Sequence, residues 1–478
     1  MAGKQTNISR MAMKAMGLFG GVQVMGILCS IIRTKLVAMW IGPVGIGLFG
    51  LFNNALEMIS TGTNLGIRSS SVKDISQTMV MRDHGLVARM VAVVRRWSLW
   101  LGLAGALLTL SLAPLLSQVT FGDTTHIWGF VALSAAVLLQ ALTNGEYAVL
   151  QGTARLKRLA SVTLWGTIVG LAVSIPMFYL LRERSILPSI IAYAAALAAF
   201  AWLFRNRDYP PVDVSRREAF DMGKGFVKLG IYMTLGNFAT ILASYAFNAW
   251  LNVNAGTEQV GFYQAGYTLI NKYTGLILTA LGMEYYPRLA KVADSRIRLR
   301  AFVSQEINVA IAVMAPVVAL FILLREVIVW LLYTPEFNVI LTFVSWGMIG
   351  TVLRTLSWCL AFTILAKGDG KTYLWTEAAS AVINLVLNIL FYRMWGLTGL
   401  GIAFLVSYVL YTLIIAIVYF RIYHLTITRA SIYNLLWTLA VAGAVMIAME
   451  AGSLPVAIAI TIVSIAIGLR QVIYLWRR

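Results

Sequence analysis

The sequence predicts an all-α polytopic membrane protein with about fourteen transmembrane helices. Three observations carry this. Hydrophobic residues make up 60% of the 478 positions and charged residues only 12%, whereas soluble domains sit near 45–50% and about 25%. Mean hydropathy is +0.80. Apolar runs long enough to cross a bilayer recur along the whole chain. These figures exclude a soluble enzyme, a disordered chain and an outer-membrane barrel, whose alternating strands do not reach such hydropathy.

The runs fall, in order, at 12–34, 43–66, 97–118, 127–151, 159–181, 186–204, 226–251, 259–281, 303–324, 338–366, 373–393, 397–420, 432–450 and 454–474. The first begins polar, with Lys4, Arg10 and Lys14, and lacks a small-residue cleavage site, so it reads as an uncleaved helix. Gly42-Pro43 turns the chain into the second. A charged stretch separates the second from the third, and further basic loops separate later pairs. The stretch 327–334 is apolar but too short to span, which suits an interfacial position.

Charge supports the same layout. There are 38 basic and 19 acidic residues. With the N-terminus inside, 30 basic residues fall on the cytoplasmic side, 6 on the other, and Lys272 and Arg354 lie within helices. Basic residues concentrate in cytoplasmic loops, so both termini are expected inside. The excess therefore implies no nucleic acid as partner. Cys29 and Cys359 lie in apolar runs, so no disulfide is implied. His84, His126 and His424 are far apart, with no metal-ligand spacing.

An internal repeat is also visible. Ile46-Gly47-Leu48-Phe49 reappears as Val260-Gly261-Phe262-Tyr263, and Phe178-Tyr179 as Phe391-Tyr392. Ile191-Ala192-Tyr193 is matched by Ile402-Ala403-Phe404, and Lys157 by Lys371. Four ordered matches at nearly one offset predict two pseudo-symmetric six-helix lobes, 1–204 and 225–425. A linker at 205–224 with Tyr209-Pro210-Pro211 joins them, and a helix pair follows at 426–478. Parallel repeats of this kind belong to alternating-access carriers.

Around the first hairpin, the run Lys35-Leu36-Val37-Ala38-Met39-Trp40-Ile41-Gly42-Pro43-Val44-Gly45-Ile46-Gly47-Leu48 resembles Wzx-type O-antigen translocases. These belong to the multidrug/oligosaccharidyl-lipid/polysaccharide (MOP) exporter superfamily, with the enterobacterial common antigen flippases similar again. Val260-Gly261-Phe262-Tyr263-Gln264, Tyr286-Pro287-Arg288-Leu289 and Ile364-Leu365-Ala366-Lys367, with Glu377 after it, extend the likeness over residues 10–425. The resemblance implies a MATE-like two-lobed fold. It also implies translocation of undecaprenyl-diphosphate-linked O-antigen repeat units from the cytoplasmic to the periplasmic leaflet of a bacterial inner membrane. The expected partners are that lipid-linked oligosaccharide, membrane lipids and the O-antigen polymerase machinery.

Such a cargo needs cations for its diphosphate. Arg33, Lys35, Lys272 and Arg354 are the candidates, because a charge in a membrane helix is costly unless it faces a cavity. Arg offers a bidentate fork and Lys a point charge. Snorkelling is the bland alternative for Arg33 and Lys35, and an ion pair within one lobe is the alternative for Lys272 and Arg354. Glu57, Glu146 and Glu377 are the candidates for coupling to a proton or sodium gradient, a buried carboxylate being able to exchange protons. For Glu146 and Glu377 the alternative is pairing with Arg155 or Lys371. Asn53, Asn54, Asn248 and Asn252 are sugar-binding candidates, with helix–helix bonding as the default; Tyr267 and Tyr273 are stacking candidates beside Lys272.

No cofactor is expected, and membrane potential is a further possible drive. A cation or drug antiporter is the transport alternative, but it favours anionic cavities. A membrane glycosyltransferase or polymerase needs a large outer loop or an acidic metal motif, and the sequence offers neither. No phosphate-binding glycine loop is present, so the chain reads as a transporter without a catalytic motif.

Overall fold

The computed structural model describes residues 2–81, 83–209 and 212–476. The Pro210-Pro211 pair of the expected linker and the terminal Arg477 and Arg478 lie outside the described residues, as do the side chains of Lys4, Arg10, Lys14 and Pro287. All regular structure among the described residues is helical.

The chain divides into two compact units, Met1–Val260 and Gly261–Arg478. The first contains α1 (Ala2–Trp40), α2 (Pro43–Asn64), α3 (Ile67–Val80), α4 (His84–Phe121), α5 (Ile127–Gly152), α6 (Leu156–Leu181), α7 (Ile186–Leu203) and α8 (Arg216–Ala255). Gly42, at φ 80°, turns α1 into α2, and Pro43 opens the new helix, where its missing N–H is unneeded. Between α2 and α3, Leu65 and Gly66 both take left-handed backbone, at φ 48° and 65°. α8 packs against α2, α3 and α4. Ser215 caps α8 by accepting from the Glu218 N–H at 3.1 Å, so the charged second half of the expected linker is helical.

Small residues draw these helices together, as membrane packing requires. A Cβ at Gly166 or Gly170 of α6 would come within 2.6 Å of Leu197 or Tyr193 of α7. That close approach fixes where Tyr193 lies.

The second unit holds most of α9 (Thr257–Thr268), a π-helical turn Leu269–Tyr273 and α10 (Thr274–Val292). α11 (Arg296–Leu323), the short α12 (Arg325–Leu332), α13 (Leu341–Ala366), α14 (Gly370–Ile417), α15 (Arg429–Glu450) and α16 (Leu454–Trp476) follow. α14 is interrupted at Trp395 and Gly396, whose φ values are −136° and 57°, between the two segments expected there. α15 and α16 pack on α11. Asn434 donates to Asn308 at 2.8 Å and accepts from Gln471 at 3.3 Å, and Gly468 meets the Ala312 carbonyl and Pro316.

Among the described residues, nine helical stretches are long and apolar enough to cross a membrane. Leu156–Leu203 and Gly370–Ile422 each contain two of the fourteen expected segments. The expected segments 43–66 and 259–281 are helical but less apolar, because they carry polar residues such as Asn53, Glu57, Ser60, Thr61 and Lys272, and 226–251 is helical within α8. The nine stretches thus hold eleven of the fourteen expected segments, and the other three are helical as well. The helices also outrun their apolar cores, and Arg68 and Arg95, expected in a loop, lie in α3 and α4. Arg325, expected at an outer loop, is buried, donating to Ser345 and to Glu450, each at 2.7 Å. Both cysteines are free and buried.

Candidate functional site

In the first unit, α1, α2, α3, α5, α6 and α7 enclose a cavity of about 280 Å³. Arg33 and Arg68 both line it, with Asn53, Gln140, Thr143, Asn144, Tyr147, Ser174, Ser189 and Tyr193 between apolar walls. The half-buried Arg33 guanidinium carbon lies 4.7 Å from the Phe49 ring centre and 5.3 Å from that of Tyr193. Arg68 stacks on Tyr147 at 4.8 Å. Stacking uses the faces of a guanidinium and leaves its in-plane N–H donors for an anion. Among the described residues, neither arginine has a carboxylate within ion-pair distance. A cavity with two such cations and a ring of amides and hydroxyls is equipped for an anionic, hydroxyl-rich ligand.

A second cavity of about 170 Å³ is lined by Glu57, Ser60, Thr61, Asn64, Gln140, Asn144, Thr234 and again Arg68. Ser60 donates to Gln140 at 2.7 Å, which joins α2 to α5.

The remaining sequence candidates divide clearly. Lys35 is half-buried and is not among the residues lining these two cavities. Glu146 is held by Arg95, Nε to Oε1 at 2.6 Å and Nη2 to Oε2 at 3.0 Å. Its partner is therefore Arg95 rather than Arg155, which pairs with Asp208. Glu377 accepts from the Tyr411 hydroxyl at 2.7 Å. In the second unit, Arg354 Nη1 donates to Asn271 Oδ1 at 2.9 Å. Lys272 follows Asn271 in the π-turn and is exposed, so Lys272 and Arg354 approach one turn of helix. Asn53 reaches the first cavity while donating to the Phe49 carbonyl at 2.7 Å. Asn252 bonds the Thr120 carbonyl at 2.8 Å and so ties α8 to α4, while Asn248 donates to the Ser244 carbonyl of its own helix at 2.7 Å. Asn54 Nδ2 is buried with no partner.

Arg68, Gln140, Asn144 and Tyr147 were missed as site residues. Arg68 opens a charged stretch that reads as a solvated loop, and only the left-handed Leu65-Gly66 pair turns it back onto α5. At the end of α13, Asp369 accepts from the Thr372 N–H at 3.1 Å, the Thr372 hydroxyl at 2.7 Å and the Tyr423 hydroxyl at 3.0 Å. The Thr372 bonds hold its carboxyl below the ordinary range. Among the described residues no group of three or more His, Cys, Asp or Glu side chains is arranged to hold a metal.

Residues 71–342, more than half of the chain, match the family model described as polysaccharide biosynthesis protein. The Lipid III flippase of Escherichia coli (strain K12) is 23% identical over 392 residues, covering 79% of this chain and 90% of that protein. The Lipid III flippase of Shigella flexneri matches to the same extent. Among solved structures, the Lipid II flippase MurJ in an inward closed conformation superimposes with a TM-score of 0.74 at 12% identity, covering 96% of this chain and all of that one. An inward-facing multidrug resistance MATE family transporter of the MOP superfamily gives 0.69 at 15% identity, over 88% and 95% of the two chains. The expected likeness is upheld: with the fold of the MOP transporters, the chain belongs to the polysaccharide biosynthesis protein family.

Proposed function

We propose that this chain is a flippase for lipid-linked oligosaccharide, a multi-pass protein of the bacterial inner membrane and a transporter rather than an enzyme. Its cargo is the undecaprenyl-diphosphate-linked O-antigen repeat unit, moved from the cytoplasmic to the periplasmic leaflet by alternating access. The observation that carries the reading is the cavity lined by Arg33 and Arg68, two stacked guanidinium groups with no carboxylate in ion-pair distance among the described residues. An uncompensated cation inside a membrane protein is costly, and a diphosphate supplies the missing charge.

In this scheme Arg33 and Arg68 hold the phosphates while Asn53, Gln140, Asn144 and Tyr193 meet the first sugar hydroxyls. Lys35, Lys272 and Arg354 attract the same anion elsewhere on its path. Glu57 and Glu377 are the carboxylates left for coupling to protons or sodium ions, since Glu146 is engaged by Arg95. Both termini face the cytoplasm, as the loop charges favour. An outward-moving anion is assisted by an inside-negative potential, at about 2.3 kcal/mol per charge per 100 mV, so ion coupling need not be tight. A cation antiporter is disfavoured because the cavity itself is cationic.

Deleting the protein tests this. Cells should lose surface O-antigen and accumulate lipid-linked repeat units in the cytoplasmic leaflet. Normal surface polysaccharide in a strain with no second flippase would overturn the reading.

A further inference from the structure

The two cavities of the first unit share a wall, and that wall is where the carboxylate of Glu57 gains a purpose. Arg68, Gln140 and Asn144 line both. Glu57 lines only the smaller one, together with Ser60, Thr61 and Asn64 of α2 and Thr234 of α8. Arg68 is therefore the one cation lining the cavity into which Glu57 faces, among the described residues. It is also one of the two cations of the larger cavity.

Resting on the anion-site reading above, we propose that Glu57 is the internal counter-ion of that site and competes with the cargo's phosphate for Arg68. Arg68 stands on the shared wall, stacked on Tyr147 and outside ion-pair distance of Glu57, and a swing toward the smaller cavity brings the two charges together. A phosphate entering the larger cavity draws it back, and Tyr147 guides the swing by stacking on the guanidinium face, 4.8 Å from its carbon. Arg33, pinned between Phe49 and Tyr193, is the fixed half of the anion clamp and Arg68 the exchangeable half. The competition weakens cargo binding, which favours release, and spares the emptied site two bare cations.

A double-mutant cycle in full-length protein reconstituted in lipid nanodiscs decides the matter. The probe is UDP-glucose, a soluble diphosphate diester, measured by equilibrium dialysis. Glu57→Gln should bind it about three- to tenfold tighter than wild type, as expected for removing a partly exposed competing charge. In an Arg68→Ala background the same change should have no effect, while in an Arg33→Ala background the gain should persist. An unchanged or weakened affinity in Glu57→Gln overturns the proposal, and so does an equal gain with and without Arg68. If neither Arg33→Ala nor Arg68→Ala weakens the probe, the anion site itself is wrong, a result distinct from failure of the Glu57 competition. Glu57→Asp, which keeps the charge, should stay near wild type and controls for folding.

Discussion

Arg95 grips Glu146 through two parallel N–H donors, and its Nη2 also reaches the Asn206 carbonyl at 3.2 Å. One guanidinium thus joins α4, α5 and the segment after α7. Removing only the cation strands a carboxylate that is 15% exposed. Arg95→Ala should cost about 3 kcal/mol, the lower end for a broken buried pair because Arg95 is 30% exposed. The double change Arg95→Leu with Glu146→Leu should recover most of it. Thermal unfolding of the detergent-purified variants is the measurement.

For transport, Arg33→Ala and Arg68→Ala should each cut flux by roughly tenfold or more, the scale of one lost charged hydrogen bond. Arg33→Lys should restore little, because an ammonium neither stacks between two rings nor offers a fork. Surface O-antigen, normalised to the amount of protein in the membrane, reports the outcome.

Lys272→Ala and Arg354→Ala should abolish transport at normal protein levels, while Glu57→Gln only reduces it through slower cargo release. Asn271→Asp should behave like Arg354→Ala, since it turns a hydrogen bond to Arg354 into a neutralising ion pair. The same surface assay applies, and a near-normal Asn271→Asp variant would detach Arg354 from the cargo path.

The left-handed Gly66 faces the Gly230 carbonyl so closely that an added Cβ would lie 2.6 Å from it. Gly66→Ala should lose about 1–2 kcal/mol from backbone conformation alone and more from the contact. Gly230→Ala should also destabilise, its Cβ falling 2.1 Å from the Leu65 carbonyl. Both should lower the melting temperature and shift Arg68.

Asp369 provides the pH test. Its carboxyl titrates below its ordinary value because Thr372 bonds the charged form. A depressed folded-state pKa gives stability that is fully present above the ordinary carboxylate range and is lost as pH falls through the depressed value. Thr372→Val removes the hydroxyl bond, so acid should destabilise wild type and variant by different amounts. The two melting temperatures should converge once acid has protonated Asp369 in both proteins and separate above the ordinary carboxylate range.

The helical membrane architecture was legible because apolar length is a local signal. Gly42-Pro43 and the break near Gly396 fall where composition puts them. The polar helix α2 was harder, its apolar run weaker because Asn53, Glu57, Ser60, Thr61 and Asn64 face the cavities. The site was legible only in part. Arg33 and Glu57 stand out as charges inside apolar runs. Arg68 and Arg95 sit in the helical extensions beyond those runs, where a charge raises no alarm. Their partners, Tyr147 and Glu146, are some 50 to 80 positions away, a pairing that only the folded chain makes. Lys35 shows the converse, for its place in a family-like motif does not put it among the residues lining either cavity.

The wide turn at Leu269–Tyr273 has a mechanical meaning. A π-turn contains one residue more than an α-turn, and handing that residue along the helix rotates the residues between its old and new places by about 100°. The surplus is lodged where Asn271 is fastened to Arg354, with Lys272 next in line. The hydrogen bond from Arg354 to Asn271 closes on the middle of that surplus turn, so it fastens the widened stretch of helix to α13 and, with it, the heading of Lys272.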